Sequence, residues 1–139
     1  MAEYPFTGIV TNPTETKLPL FKEYAWDFDV DCFIYDENGK HILLEGNEAI
    51  KVWCYKALKT ERFMYLAYTH GFGIELYPFM AKVMGVFERK SELKRMITEA
   101  LMVNPYILSV DSITFDEVDR GEDMDVHVVM TTVYGELVI

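Results

Sequence analysis

The sequence predicts an α+β fold, and three observations predict it. Two stretches carry apolar residues at i, i+3, i+4, i+7 and i+8, the stripe of a helix packed on one face. Runs rich in aromatic and β-branched residues gather at the two ends of the chain. Their order is hairpin, helix, strand, two further helices and closing strands, not the regular strand–helix alternation of a parallel sheet. At 139 residues the chain suits one domain with a real core.

Residues 1–23 hold three of the five prolines, Pro5, Pro13 and Pro19, and show no periodicity. They predict an irregular N-terminal arm, ordered against a partner or the body, with the domain proper spanning 24–139. From 24 to 30, Tyr24, Trp26, Phe28 and Val30 alternate with Ala25, Asp27 and Asp29, and Asp31 continues the polar series. This is the period of a half-buried strand with acids on its solvent face. Extended chain continues over 32–35. Asn38-Gly39 predicts a type I′ hairpin turn, with the return strand at 41–44.

Asn47 suits the N-cap of the first helix, in which Ile50, Trp53, Cys54, Ala57 and Leu58 form one stripe ending near Lys59. Residues 63–68 are aromatic and read as a strand, broken by the 70–73 turn. Pro78 suits the first position of a short helix running to Met84, with Gly85 as its stop. Ser91 is the expected cap of the third helix, striped by Leu93, Met96, Ile97, Ala100 and Leu101 and stopped by Asn104-Pro105. The remainder reads as strands at 106–118, 124–133 and 137–139, with 119–123 connecting the first two.

Acids outnumber Lys and Arg by 23 to 13, a net charge of −10. That balance argues against nucleic acid, whose phosphates need clustered cations, and against an anionic membrane surface. No run approaches the ~18 apolar residues of a membrane span. The first ten residues lack the basic and then apolar pattern of a signal peptide. Cys32 and Cys54 lack metal or redox spacing, and both are expected as buried thiols in a reducing cytoplasm.

Candidate chemistry is sparse. Asp27, Asp29 and Asp31 alternate with apolar residues as on a strand, without the glycine and distal acid of a calcium loop. His41, His70 and His127 fall in separate elements without metal spacing. Glu61 and Glu75 flank the aromatic run and are the natural acid pair if the chain hydrolyses glycosidic bonds. No nucleophile elbow or phosphate-binding glycine loop is present. The residues alone predict no catalytic site, no metal and no cofactor.

One block goes further. Gly46-Asn47-Glu48-Ala49-Ile50, Trp53, then Lys56-Ala57-Leu58-Lys59-Thr60-Glu61-Arg62-Phe63, Tyr65, Tyr68 and Gly73-Ile74-Glu75-Leu76 resembles a family of tail proteins of PBSX-type prophages. That family is similar to the baseplate wedge protein of contractile phages, also called the sheath initiator. The resemblance covers roughly residues 24–118. The wider family carries Glu-Pro-Arg after its last helix; here the place is Asn104-Pro105-Tyr106, and only Pro105 matches.

The resemblance implies a structural, non-enzymatic baseplate component of a phage or phage-tail-like bacteriocin. Its implied partners are the sheath protein, other wedge proteins, and tube or hub proteins in a ring-shaped assembly. It would be made in the host cytoplasm and end in the tail baseplate. Thr60, Glu61, Arg62, Gly73, Glu75, Leu76 and Pro105 become family signature positions, expected mainly to hold the fold. Sheath initiation implies strand addition, and Val126, His127, Val128, Val129, Met130, Thr131, Thr132 and Val133 are the candidate strand because both its faces are largely uncharged. The same pattern fits an inner strand of the chain's own sheet. A cell-wall hydrolase acting through Glu61 and Glu75, and a free acidic adaptor, are the alternative functions.

Overall fold

The computed structural model describes residues 17–117 and 124–139. Short strands β1 (Lys22–Tyr24), β2 (Trp26–Asp27), β3 (Cys32–Phe33) and β4 (Leu43–Glu45) precede helix α1 (Asn47–Lys59). Helices α2 (Leu76–Met80) and α3 (Val86–Met102) follow, then strands β5 (Ile107–Glu117), β6 (Met124–Thr132) and β7 (Gly135–Val138). The α+β class and the order of the main elements are as the sequence predicts.

The last three strands form one antiparallel meander in the order β5-β6-β7. Its inner face receives Val128 and Met130 from β6, Ile113 from β5 and Leu137 from β7. Helices α1 and α3 cover that face with Ile50, Cys54, Met96, Ile97, Ala100 and Leu101. The outer face keeps its polar groups. Thr131 donates to Asp111 at 2.6 Å, and His127 lies 3.3 Å from Asp116. This is the alternation of a sheet with one wet face. It accounts for the missing charges on β6: alternate residues are core, while acids on β5 serve the other face.

Several local expectations are corrected. The alternation over 24–30 does not form one strand. Ala25 separates β1 from β2, and the Asp27 carboxylate accepts from the amides of Asp29 and Val30, folding the chain back into β3. Asp29 and Asp31 therefore stand on a turn, where Asp31 takes a positive φ of 53°. Cys32 is exposed and only Cys54 is buried. The hairpin is present, but Asn38 keeps a negative-φ backbone and Gly39 alone is left-handed. Asp36 organises this turn by accepting from the amides of Asn38 and Lys40, so a longer loop with one left-handed residue replaces type I′.

Asn47 is the first residue of α1, not its cap. Gly46 precedes it at φ 67°, and the Asn47 side chain reaches across to Thr132 and the Glu136 carbonyl. Helix α2 begins two residues before Pro78 and stops at Met80. Helix α3 begins at Val86, so Ser91 lies inside it. The expected strand at 63–68 is a series of turns. No strand among the described residues pairs with it, and its rings pack on one another, with Tyr68 stacked on Phe72 at 4.6 Å.

Of the expected arm, residues 1–16 lie outside the described residues, as does the whole of the 119–123 connection. Residues 19–23 belong to the body. Tyr106 donates its hydroxyl to the Pro19 carbonyl at 2.7 Å, and the Phe21 amide donates to the Tyr134 hydroxyl at 2.9 Å.

Candidate assembly site

Thr60, Glu61 and Arg62 leave α1 and form a knot with the 73–77 segment. The amide of Ile74 donates to the Thr60 carbonyl at 2.9 Å, and the amide of Arg62 donates to the Ile74 carbonyl at 3.0 Å. The Thr60 hydroxyl donates back to the Lys56 carbonyl at 2.7 Å, finishing the helix. The Glu61 carboxylate accepts from the amides of Leu76 at 3.0 Å and Tyr77 at 3.1 Å. It caps α2 from a distance, supplying negative charge where the first amides of a helix point outward. That is why α2 starts before its proline.

Arg62 is the centre of the knot. Its Nε and Nη2 donate to the Gly73 carbonyl at 3.2 and 3.1 Å, and its Nη1 meets Glu99 of α3 at 3.0 Å. Its side chain is only 11% exposed although Glu99 stays half exposed, and these charge-assisted bonds join three segments. The same contact with Arg62 holds the Glu99 carboxyl below its ordinary range, with a smaller contribution from Arg95. Gly73 sits at φ 103°, a conformation suited to glycine. Pro105 is exposed at the end of α3, and the buried Asn104 beside it accepts the Tyr106 amide through its side chain.

The two carboxylates of the candidate acid pair have different surroundings. Both Glu61 oxygens accept backbone amides in the knot, while Glu75 precedes α2 at the rim of a small polar cleft with Lys82, Glu92 and Arg95. Among the described residues no group of His, Cys, Asp and Glu could hold a metal ion, and no helix is long and apolar enough to cross a membrane.

The sheet order shows which residues of the expected strand-addition surface are paired within the chain itself. Over Val129–Thr132, β6 pairs with β5 on one side and with β7 on the other. Val128 and Ile139 also exchange both main-chain bonds at 2.9 Å. The edges at Val128, Val129, Met130, Thr131 and Thr132 are therefore filled by this chain. Val133 has left the strand, and its amide donates to the Tyr106 carbonyl. Val126 and His127 differ. They pair with Phe115 and Thr114 of β5, but no strand among the described residues lies on their other side.

Beneath that open stretch lies an apolar cavity of about 370 Å³, lined by Phe28, Tyr55, Leu58, Leu93, Val126 and Ile139 among others. The sequence did not single out this cavity. Of its walls, Val126 and Val128 belong to the strand expected to meet a partner; the others come from Phe28, the three helices, Ile74 and Ile139.

The family described as contractile injection system sheath initiator matches residues 22–135. The chain belongs to the sheath initiator family. A relative is the phage-like element PBSX protein XkdS of Bacillus subtilis (strain 168), 34% identical over 107 residues, 74% of each chain. The family match spans the knot and strands β5 and β6. Membership supports a structural, sheath-initiating role in a contractile tail.

Proposed function

We propose that this chain stands in the baseplate around the tail tube, joins neighbouring wedge proteins, and fixes the register of the first sheath ring by strand addition. It would assemble in the bacterial cytoplasm before entering the particle. The observation carrying this reading is the side of β6 at Val126 and His127 that no strand among the described residues pairs, next to an apolar cavity. A sheath strand laid there continues the line of β7 and gains main-chain bonds along β6, while its inward side chains fill the cavity. By strand alternation, the Val126 amide points the same way as that of Val128, toward the open side.

Val126→Pro removes that donor and leaves the pairing with β5 in place. The test is a pull-down of the sheath protein by the folded full chain and by this variant. Retention by the native chain and loss by a still-folded Val126→Pro variant is the expected result. Equal retention by both would move the contact elsewhere, and no retention by the native chain would remove the proposal.

A further inference from the structure

Another cavity, of about 380 Å³, opens where the chain enters the body. Its walls include Phe21, Trp53, Phe72, Val103, Pro105 and Tyr106. The Trp53 and Phe72 rings meet edge to face with centroids 5.8 Å apart, and Val103 and Pro105 are exposed. The buried Asn104 among them already accepts the Tyr106 amide through its side chain. None of these residues lines the cavity beside β6.

Two uncharged runs build this cavity. Residues 63–74 and 100–110 contain no Asp, Glu, Lys or Arg, in a chain that is 26% charged. The first run supplies Thr69, Gly71 and Phe72, and the second supplies Val103, Asn104, Pro105 and Tyr106. Tyr68 and Met102, beside these walls in sequence, are exposed. An exposed apolar opening of this kind marks a contact, and walls without charge suit an uncharged occupant.

The chain carries such a segment close to the opening. Residues 4–14 are a third run without Asp, Glu, Lys or Arg, bounded by Glu3 and Glu15. Their large apolar groups are Tyr4, Phe6, Ile9 and Val10. The described chain begins at Lys17, and Tyr106, a wall of the cavity, holds the Pro19 carbonyl at 2.7 Å. Phe21, another wall, packs on the Tyr106 ring. From Pro19 back to Val10 the chain spans nine residues, a reach of at most about 30 Å. A segment tethered this closely meets the cavity at an effective concentration on the order of millimolar. A free partner or a second copy must outbind it to take its place.

We propose that residues 6–10 of this chain seat in the cavity, with Phe6 and Ile9 packed among Trp53, Phe72, Val103 and Tyr106. The contact is intramolecular. It uses residues separate from the β6 edge, so it stands whether or not strand addition occurs there.

The test is paramagnetic broadening in the nitrogen-15-labelled full chain. Cys32→Ser with Met102→Cys leaves one exposed thiol for a nitroxide beside the cavity, since Cys54 is buried. The amides of residues 6–10 broaden, equally at every protein concentration. Adding Phe6→Ser with Ile9→Ser abolishes that broadening and shifts the amides of Thr69, Gly71 and Phe72, while the β5-β6-β7 resonances stay in place. Residues 6–10 that broaden no more than in the Phe6→Ser, Ile9→Ser protein overturn the proposal. Broadening that instead passes from a nitroxide-bearing copy to a separate nitrogen-15-labelled copy, and grows with concentration, also overturns it and assigns the cavity to a second copy's segment.

Discussion

Gly73 faces the carbonyl oxygen of Thr60 so closely that a Cβ placed on it would stand 2.6 Å away. The backbone of Arg62 lies almost as near, at 3.1 Å. The close approach is what allows Ile74 and Arg62 to exchange main-chain bonds with their neighbours across the knot. Gly73 also holds a φ of 103°. Gly73→Ala is therefore penalised twice, by the backbone conformation and by a clash with atoms that cannot rotate away. It should lower stability by about 2–4 kcal/mol, read as a reduced urea midpoint with an unchanged slope.

The acid of the knot has a separate signature. Glu61→Gln keeps one acceptor oxygen for the first turn of α2 but loses the charge and one of two bonds. A loss of about 1–2 kcal/mol is expected. Hydrogen exchange should quicken at Leu76 and Tyr77 before it does in α1. A peptidoglycan zymogram should give no clearing with either protein. Clearing by the native chain that disappears in Glu61→Gln would make the hydrolase the correct function.

The long-range periodic elements were legible because their signal is their own packing. Ile50, Cys54 and Ala57, or Met96, Ile97 and Ala100, are spaced for one buried helix face and occupy it. What failed were segments whose conformation is set by a distant residue. The aromatic 63–68 run has strand composition, but the knot at Glu61 and Arg62 turns it aside and no strand among the described residues lies beside it. Alternating acids at Asp27 and Asp29 imitate a strand, although the Asp27 side chain itself makes the turn. Strand β6 was legible as uncharged, yet sequence could not distinguish an internal strand from a binding edge, since both need the same residues. The pairing with β7 over Val129–Thr132 makes that stretch internal to the sheet.

Two tyrosines tie the entering chain to the body, and their removal should be felt there. Tyr106 is buried, stacks edge-on against Phe21 with ring centroids 4.8 Å apart, and donates to the Pro19 carbonyl. Tyr106→Phe keeps the ring and loses the bond, at a cost of about 1 kcal/mol. The expected readout is faster hydrogen exchange and earlier proteolysis over residues 19–23, with the β5-β6-β7 sheet unaffected.

Asp111 should contribute a visible acid limb to stability. Hydroxyls of Thr131 and Ser109 donate to its carboxylate at 2.6 and 2.7 Å, holding its pKa below the ordinary range. A depressed folded pKa means the stabilising contribution is complete above the unfolded value, about 3.9. It is lost as pH falls through the lower folded value. Asp111→Asn should therefore flatten the fall in stability at and below about pH 4, measured by urea unfolding across acid pH. An unchanged acid limb would mean that these hydroxyl bonds do not persist in solution.

The two thiols should separate cleanly in reactivity. Burial among Ile50, Ile97 and the sheet pushes the Cys54 thiol up to about 12, whereas Cys32 lies exposed at the start of β3. The thiolate is the reactive species, so at mildly alkaline pH Cys54 is protected both by access and by protonation. Titration of the native protein with a thiol reagent should modify one cysteine rapidly, and Cys32→Ser should abolish that phase. Cys54 should react only in denaturant, at a rate that follows global unfolding. Rapid modification of both thiols in the native chain would show that the α1–α3 core opens far more readily than its packing implies.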